Sequence, residues 1–426
     1  MLIVDTALKK RESEGNPVRV GVIGAGYMGR GMIHQIMGSV PGMTVAALSN
    51  RTISRAEQAF TQTGVEDYVH VDSQDAMNNA IRDGRCAITE DPMLVAEADG
   101  IDAIVEATGE VEFGAQVVLR AIEHGKHVIL MNAELDAVVG PILKVYADKA
   151  GVVISNVDGD QPGVVMNLLR WVESIGYEPV LAGNIKGLQD CRRTPETQKG
   201  FAEAVKQNTK MITSFADGTK ISMEMAVVAN ATGFTVDKRG MHGPECKHVT
   251  EALNFFDADK LREGGIVDYV LGAEPGPGVF VLGYSEDSIK QQYGQYLKMG
   301  DGPLYTFYIP YHLPHLESPL TVARAVLFDD AAIAPAGAPV VEVLTSVKFD
   351  LQEGKALDGI GGFDVYGVTE NVAWCREHNA LPMSLADGCV MRRDMSQDEI
   401  ISYDDVIVPE GRVCDRLWQE QLDHFG

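Results

Sequence analysis

Apolar runs and amphipathic stretches alternate along the first 158 residues. The apolar runs predict buried strands over residues 18–23, 43–50, 101–109, 127–133 and 151–158. Helices are predicted between them over residues 27–39 and 138–149, with another that ends at residue 124. Residues 64–99, which contain a predicted helix near residues 75–82, are interpreted as an excursion from this repeat. Because strands that alternate with helices are joined by right-handed crossovers, residues 1–157 are predicted to form an α/β domain with a parallel sheet.

The pattern changes after Gly159. Two alternating runs flank Asp217 and Gly218 in "MITSFADGTKISMEMAVVA", and an Asp-Gly pair in that setting predicts a β-hairpin. Residues 158–334 are therefore predicted to form an α+β domain. Beyond Pro335 the runs are short, are separated by Gly and Asp and show little helical pattern, which predicts a β-rich domain over residues 335–426.

The charge of the chain narrows the classes of partner. Its 426 residues carry a formal net charge of −25, from 61 acidic and 36 basic side chains. Such a surface repels phosphate backbones and anionic membranes, so neither a nucleic acid nor a membrane is an expected partner. We expect a homo-oligomer that acts on a small molecule. An anionic substrate would need a local basic pocket, so each Lys or Arg near a predicted site is informative.

Cysteine usage and apolar content indicate the compartment. The six cysteines are scattered without a C-x-x-C pair, which is typical of free thiols in a reducing compartment. The apolar run near the N-terminus is too short for a signal peptide, and no segment approaches the roughly 20 apolar residues of a membrane span. The sequence therefore predicts a cytoplasmic protein.

A glycine-rich turn follows the first predicted strand, in "VGVIGAGYMGRGM". In this strand–turn–helix setting Gly24 permits a tight turn, Gly26 lets the backbone approach a pyrophosphate, and Gly29 lets the helix pack on the strand. Tyr27 and Met28 would begin the helix, whose free N–H groups favour phosphate. The alternative is a turn that merely needs glycine. The context favours a dinucleotide-binding Rossmann domain.

The end of the second predicted strand bears on the choice of dinucleotide. NAD-binding domains usually place a carboxylate there for the ribose 2′-hydroxyl, whereas this chain has Asn50, Arg51 and Thr52 after Ser49. Arg51 can pair with a 2′-phosphate, so the sequence predicts NADP(H). A solvent-facing Arg51 is the alternative.

Two further strand ends should meet the cofactor at the same edge of the sheet. Thr108 and Gly109 end "EATG", and Asn132 and Glu134 lie in "MNAE". Ligands of open α/β sheets bind outside the carboxyl ends of the strands. We therefore expect Thr108 and Gly109 to contact the cofactor, and Asn132 and Glu134 to face its nicotinamide.

Charged residues in the second predicted domain are candidates for catalysis. Asp160, just before Pro162, either caps a helix or presents a carboxylate to a metal or substrate hydroxyl. Lys186 lies in the polar segment "LAGNIKGLQDCRRTP" and could bind an anion or protonate a carbonyl oxygen. Lys220, Ser222 and Glu224 are predicted on one face of a strand, with Ile221, Met223 and Met225 on the other. A divalent metal is possible, but no ligand set for it is evident.

Two loop histidines complete the candidates. His242 lies in "GMHGP" and His312 in "YIPYHLPH", so each is in a loop that contains Gly or Pro. A single loop histidine is more often structural than catalytic, but the recurrence favours a role for both. The sequence contains no H-E-x-x-H or G-x-S-x-G element, so zinc-protease and serine-hydrolase chemistry have no support.

Several longer motifs are distributed over nearly the whole chain. They are "GNPVRVGVIGAGYMG", "VEATG", "GKHVILMNAE", "GDQPG", "EMAVVANATG", "GMHGP", "GIVDY", "PGVFV", "YIPYHL" and "SPLTVARAVL". With them the chain resembles homoserine-dehydrogenase-like oxidoreductases that include a deoxyxylulose-5-phosphate reductoisomerase-like branch. The segment "LPMSLADGCVMRRDMSQDEIISYDDV" resembles the SAF, or β-clip, domain that ends these proteins.

The resemblance implies an NADPH-dependent enzyme that rearranges and reduces a small, oxygen-rich, anionic substrate such as a sugar phosphate or branched sugar acid. Asp160 and Lys186 match positions of the family pattern, but "DGDQPG" and "NIKGLQDCRRTP" around them depart from the characterised branch. The resemblance therefore predicts the reaction class better than the substrate. The alternatives are a plain dehydrogenase without isomerisation and a non-enzymatic SAF-type assembly factor, which would require export.

Overall fold

The computed structural model describes residues 2–426, and its first 160 residues follow the predicted α/β repeat. The strands are β1 (Val18–Ile23), β2 (Met43–Ser49), β3 (Tyr68–His70), β4 (Cys86–Thr89), β5 (Ala103–Glu106), β6 (His127–Leu130) and β7 (Ile154–Asn156). The helices are α1 (Leu2–Ser13), α2 (Tyr27–Ser39), α3 (Ile53–Thr61), α4 (Gln74–Arg82), α5 (Pro92–Ala96), α6 (Val111–Glu123) and α7 (Ala133–Ala150). Helix α7 begins at Ala133 rather than at residue 138, because the Asn132 side chain caps it.

These strands form one parallel sheet in the order β3-β4-β2-β1-β5-β6-β7. The predicted parallel Rossmann sheet is confirmed. The interpretation of residues 64–99 as an excursion is wrong, because they supply β3 and β4 to the sheet. The chain runs outward from β1 first in one direction and then in the other. The carboxyl end of β1 is thus a topological switch point, where ligands of such sheets bind.

Residues 161–312 form a mixed sheet with helices, as the predicted α+β domain requires. The strands are β8 (Glu178–Lys186), β9 (Ile266–Leu271), β10 (Gly278–Tyr284) and β11 (Leu304–Ile309). The helices are α8 (Gln161–Ser174), α9 (Pro195–Val205), α10 (Thr209–Asp217), α11 (Thr219–Thr232), α12 (Ala258–Leu261) and α13 (Ser288–Tyr296). The order is β11-β10-β8-β9, with β10 antiparallel to β8 and β9 parallel to it. Helices α8 and α11 pack against this sheet.

The predicted hairpin at Asp217 and Gly218 is wrong, since helices α10 and α11 meet there. Gly218 has a φ of 92° and lies in the left-handed region, so it ends α10 and precedes α11. The side chains of α11 are buried on nearly every face, which removes the helical period from its sequence. Lys220, Ser222 and Glu224 therefore do not share a strand face.

The remaining residues form two helices of 15 and 13 residues, a shorter helix and short strands, joined by loops. They are α14 (Pro314–Phe328), β12 (Val341–Val347), β13 (Val365–Asn371), α15 (Val372–Glu377), β14 (Val390–Met391), β15 (Val406–Ile407) and α16 (Val413–Phe425). Strands β12 and β13 form one small antiparallel sheet, and β14 and β15 form another. The predicted C-terminal β structure is thus confirmed as separate small sheets. The end of the chain differs, because it is the helix α16.

The chain divides into two compact units. Unit 1 comprises residues 1–160, 313–334 and 416–426, and unit 2 comprises residues 161–312 and 335–415. The core of unit 1 includes Val20 of β1, Met32 of α2 and Val322 of α14. The domain limits of 1–157, 158–334 and 335–426 stay predictions. Over residues 2–426, none of the helices has the length and apolarity that crossing a membrane requires.

Candidate active site

The glycine turn after β1 is packed tightly on two sides and open on the third. Gly24 has a φ of 106°, and a Cβ added to it would lie 3.0 Å from the Ala107 carbonyl oxygen. A Cβ on Gly29 would lie 2.1 Å from the Gly24 oxygen, so both positions require glycine. A Cβ on Gly26 would meet nothing within 4 Å. The turn therefore leaves room for a ligand at Gly26.

Helix α2 presents its N-terminus beside this open space. Gly26 is its N-cap residue and no side chain caps the helix there. The first N–H groups of α2 and its positive dipole end are therefore available to a phosphate. Tyr27 is exposed and Met28 half-buried at the start of the helix. An NAD(P) pyrophosphate fits this arrangement in charge and in space.

The residues after β2 differ in what they contact. Asn50 Oδ1 accepts a hydrogen bond of 2.9 Å from the Ala25 N–H, and its Nδ2 donates to the Thr52 carbonyl at 2.8 Å. Asn50 thus braces the glycine turn. Arg51 and Thr52 are exposed. The Arg51 guanidinium is accessible to a 2′-phosphate, so its predicted role stays a prediction.

A buried carboxyl group links the ends of β5 and β6. Glu106 Oε1 accepts from the Thr108 N–H at 2.8 Å and from the Thr108 hydroxyl, and Oε2 accepts from Asn132 Nδ2 at 2.8 Å. Burial raises the pKa of the Glu106 carboxyl. Sequence reasoning missed Glu106, although it begins the "EATG" motif that contains Thr108 and Gly109.

This network limits what Asn132 can offer a cofactor. Its Oδ1 accepts from the Leu135 N–H at 3.1 Å, and its amide also reaches the Glu110 carbonyl. Asn132 is fully buried, and Glu134 is buried in the first turn of α7. Gly109, with a φ of 72°, is half-buried after β5. The contacts predicted for Thr108 and Gly109 with the cofactor, and for Asn132 and Glu134 with its nicotinamide, stay predictions.

The start of α14 lies against the start of α2 within unit 1. The His315 ring makes an edge contact with the Tyr27 ring, with centroids 6.4 Å apart, and packs where a Cβ on Gly31 would clash. His315 Nδ1 is buried without a hydrogen-bond partner, and burial lowers the pKa of the imidazole. His315 was not among the predicted site residues, because its contacts join segments far apart in sequence.

Unit 2 contains a compact cluster of polar side chains around Lys186. Lys186 Nζ lies 3.0 Å from Glu224 Oε2 and also contacts Gln161 Oε1. Asn184 Nδ2 lies 3.1 Å from the same Glu224 oxygen and 3.3 Å from Gln161 Oε1. The Lys186 side chain is 18% exposed and that of Glu224 only 4%. One cation is thus oriented by buried groups while remaining partly accessible. We refer to Gln161, Asn184, Lys186 and Glu224 as the Lys186 cluster.

Three elements of unit 2 bring this cluster together. Strand β8 supplies Asn184 and Lys186, which lie on one face because side chains alternate along a strand. Gln161 is the first residue of α8, and Glu224 lies on α11. Lys186 and Glu224 were predicted as site residues and do meet. Gln161 was missed, because only the fold brings the start of α8 to β8.

The other candidates on and before these helices are placed differently. Lys220 is buried one helical turn before Glu224, so the two still share a side, now of a helix. Ser222 turns elsewhere and donates to the Gly218 carbonyl at 2.8 Å and the Gly367 carbonyl at 3.1 Å. Asp160 is buried in unit 1 immediately before α8. Its predicted catalytic role stays a prediction.

The two loop histidines differ in their contacts, and the catalytic roles predicted for them stay predictions. His242 Nε2 lies 2.8 Å from Asp237 Oδ2. The backbone N–H of His242 donates to the buried Asp268 carboxyl at 3.0 Å. Burial raises the pKa of Asp268. His312 Nδ1 is buried without a hydrogen-bond partner. Within the described chain, no three His, Cys, Asp or Glu side chains are grouped as metal ligands.

Comparison with known proteins gives two family matches. Residues 18–130 match the model of an oxidoreductase family with an NAD-binding Rossmann fold. Residues 159–318 match the model described as "Oxidoreductase DRL, catalytic domain". The first match contains the glycine turn and the ends of β2, β5 and β6. The second contains the whole Lys186 cluster.

The individual proteins and structures that follow are each 29% identical to this chain or less. A homoserine dehydrogenase of Pseudomonas aeruginosa is 29% identical over 185 residues, which are 43% of this chain and 39% of that protein. The chain spans less than half the length of the curated relatives it matches. A probable dehydrogenase of Thermotoga maritima has a TM-score of 0.42 at 15% identity, over 75% of this chain and 90% of that one. A DOX-P reductoisomerase in complex with magnesium has a TM-score of 0.41 at 14% identity, over 74% and 70%.

Proposed function

We propose that this NAD(P)-dependent oxidoreductase uses NADPH to reduce a small polyhydroxylated substrate that carries a phosphate or a carboxylate, in a reductoisomerase-like reaction. The observation that carries the proposal is the Lys186 cluster, in which a partly accessible ammonium is bonded to two buried groups. Such a group can bind a carbonyl oxygen and supply a proton to it. The segment that contains it matches an oxidoreductase catalytic domain.

Residues of unit 1 would hold the cofactor. The open space at Gly26 and the uncapped start of α2 suit the pyrophosphate. The exposed Arg51 suits a 2′-phosphate better than a free 2′-hydroxyl, which is why we propose NADPH rather than NADH. When bound, NADPH supplies a hydride to the carbonyl carbon.

Lys186 then acts on the carbonyl oxygen. Its ammonium donates a hydrogen bond to that oxygen, stabilises the negative charge that develops as the carbonyl carbon gains a hydride, and transfers a proton to give the alcohol. Glu224 and Gln161 orient Nζ, and the burial of Glu224 limits access by water. In the reverse direction, the neutral amine would take the proton from the alcohol.

A plain dehydrogenase without isomerisation is the second candidate. It is favoured by the curated relatives, which are homoserine dehydrogenases. The Lys186 cluster would serve both reactions, since each includes reduction of a carbonyl group. The assembly-factor alternative has no comparable support, because an assembly factor needs neither a dinucleotide turn nor an oxidoreductase catalytic segment. We also propose that the enzyme is a cytoplasmic homo-oligomer.

A substrate screen tests this proposal. Oxidation of NADPH and reduction of NADP⁺ are followed by absorbance with sugar phosphates, branched sugar acids and homoserine. We expect turnover with a phosphorylated or carboxylated polyol, and a changed carbon skeleton in the product by NMR. Turnover with an unrearranged product would support the plain dehydrogenase. Tight NADPH binding without turnover of any compound would contradict both candidates.

The choice of cofactor gives a first prediction. Removing the Arg51 guanidinium in Arg51→Ala should raise the dissociation constant for NADPH roughly ten- to hundredfold, since a charge-assisted bond is lost. NADH binding should stay nearly unchanged, because NADH lacks the 2′-phosphate. Fluorescence titration with both cofactors measures this.

Arg55 of α3 is also exposed and gives the matched control Arg55→Ala. We expect that variant to bind both cofactors like the wild type. Equal affinity of the wild type for NADPH and NADH would defeat the proposed preference.

A further inference from the structure

Unit 2 contains a cavity beside the Lys186 cluster that the proposed reaction leaves without a role. It is open to solvent and has a volume of about 500 Å³ between the loop that follows β8, helix α11 and strands β9 and β13. This is a usual volume for a small-molecule site. The lining side chains that matter here are Gln189, Asp190, Cys191, Ser222, Tyr269 and Tyr366.

Strand register places the cavity next to the cluster. Tyr269 pairs with Asn184, and Leu271, which also lines the cavity, pairs with Lys186. Paired residues of adjacent strands point to the same face, and the strands are roughly 4.8 Å apart. The cavity therefore begins one strand away from Lys186. The cavity and the cluster both lie in unit 2, and none of the four cluster residues lines the cavity.

The polar groups of the cavity suit a ligand that donates hydrogen bonds. Gln189 Oε1 is buried without a partner, while the side chain of Gln189 also bonds the Tyr269 hydroxyl. Asp190 adds a carboxylate. A hydroxyl group of a ligand would donate to Gln189 Oε1, whereas an ionised carboxylate or phosphate has no donor to offer this oxygen.

The cations beside the cavity are already paired. Arg192 Nη2 lies 2.5 Å from Asp398 Oδ2, and Arg192 Nη1 donates to the Lys348 carbonyl at 2.7 Å. Arg193 Nε lies 3.0 Å from Asp190 Oδ2. The density of basic residues in this segment thus serves internal ion pairs. It does not give the cavity an anion site.

We propose that the cavity is the subsite for the hydroxyl-bearing tail of the substrate, with the reacting carbon at Lys186. The inference rests on the proposed function and adds to it the chemistry of one end of the substrate. The tail is a chain of neutral hydroxyl groups. Any phosphate or carboxylate lies outside the cavity.

Cysteine alkylation tests occupancy in the wild-type protein. Cys191 lines the cavity, and Cys246 is also half-buried but lies outside it, whereas the other four cysteines are buried. Burial raises the pKa of the Cys191 thiol, so N-ethylmaleimide is used at alkaline pH. Xylitol at ten times its dissociation constant should slow alkylation of Cys191 about tenfold and leave Cys246 unchanged. Succinate should protect neither. The subsite would be overturned if xylitol slows alkylation of both cysteines equally or of neither. It would also be overturned if succinate protects Cys191.

Filling the cavity tests its use in turnover. Cys191→Phe should raise KM for the polyol substrate at least about tenfold with little change in kcat, since tail binding is lost while the Lys186 cluster is untouched. Cys246→Phe is the matched control and should change neither constant. An unchanged KM in Cys191→Phe would overturn the tail assignment even if xylitol binds. Protection of Cys191 without turnover of any substrate would instead uphold a polyol site and refute the proposed function.

Discussion

Lys186 remains partly accessible although its ammonium is bonded to buried groups on two different helices. A surface lysine samples many rotamers, whereas this one is fixed by Glu224 and Gln161. Fixed donors stabilise a developing oxyanion more than mobile ones, because they need no reorganisation as charge appears. In the proposed reaction we therefore expect the side chain to stabilise the transition state more than the free enzyme.

Replacing the Lys186 ammonium tests the proposed catalytic role of this side chain. Lys186→Met removes the charge and keeps much of the volume, and we expect turnover to fall about 100-fold or more, the scale for losing one oxyanion donor. NADPH affinity should survive, since the glycine turn is in unit 1. Steady-state kinetics and a cofactor titration measure the two effects.

Lys199 on α9 is exposed and supplies the control Lys199→Met, which should behave as the wild type. Near-normal turnover of Lys186→Met would reduce Lys186 to a structural residue.

The cluster shows how far single residues can be predicted from sequence. Lys186 stood out because cations are rare in so acidic a chain, and Glu224 because it interrupts an apolar run. Gln161 and Glu106 carry no such signal. Their roles follow from burial and from neighbours distant in sequence, which a residue pattern does not contain.

One glycine and one buried ion pair stabilise the junction of α10 and α11. Gly218 takes the left-handed conformation between the helices, and a Cβ there would lie 2.6 Å from Gln189 Nε2. The preceding Asp217 is fully buried and bonds Lys348 Nζ at 2.8 Å. Lys348 also donates to the Arg193 and Gly362 carbonyls, each at 2.8 Å. The end of α10 is thus fixed to the segment that follows β12.

We therefore expect Gly218→Ala to lower the free energy of unfolding by about 1–3 kcal/mol, because an L-residue is strained in this conformation and its Cβ displaces Gln189. The urea midpoint of the purified protein measures the loss.

Gly38, near the end of α2, gives the matched control Gly38→Ala, because a Cβ added there would meet nothing within 4 Å and its φ is not positive. This variant should be neutral or stabilised by up to about 1 kcal/mol. If both variants unfold at the same urea concentration, the junction does not depend on the glycine conformation.

Elements with a clear period were predicted well, and those without one were not. Helix α2 has the predicted limits, since it carries an apolar stripe after the glycine turn. Helix α11 was read as a strand because it is buried all round and follows an Asp-Gly pair. Strands β3 and β4 were missed because each is a short apolar run between charged residues, in "EDYVHVD" and "GRCAITED".

In the whole molecule, the two units have features that suit separate tasks. Unit 1 contains the parallel sheet, the glycine turn and Arg51, which suit a dinucleotide, and unit 2 contains the Lys186 cluster and its cavity, which suit an oxygen-rich substrate. The sequence shows a change of pattern after residue 159, but the division into domains 1–157, 158–334 and 335–426 that it predicts stays a prediction. It did not predict that residues 313–334 and 416–426 return to unit 1, because that depends on contacts between distant segments.

The transfer of deuterium from cofactor to product tests the central claim that these units carry out one reduction. The enzyme is given NADPH deuterated at C4 of the nicotinamide, in each of its two stereoisomers, with the substrate identified by the screen. We expect deuterium on the new carbinol carbon with one stereoisomer only, and a rate of transfer that is lower by at least about 100-fold in Lys186→Met. A product free of deuterium with both stereoisomers, or an equal rate in Lys186→Met, would contradict the claim.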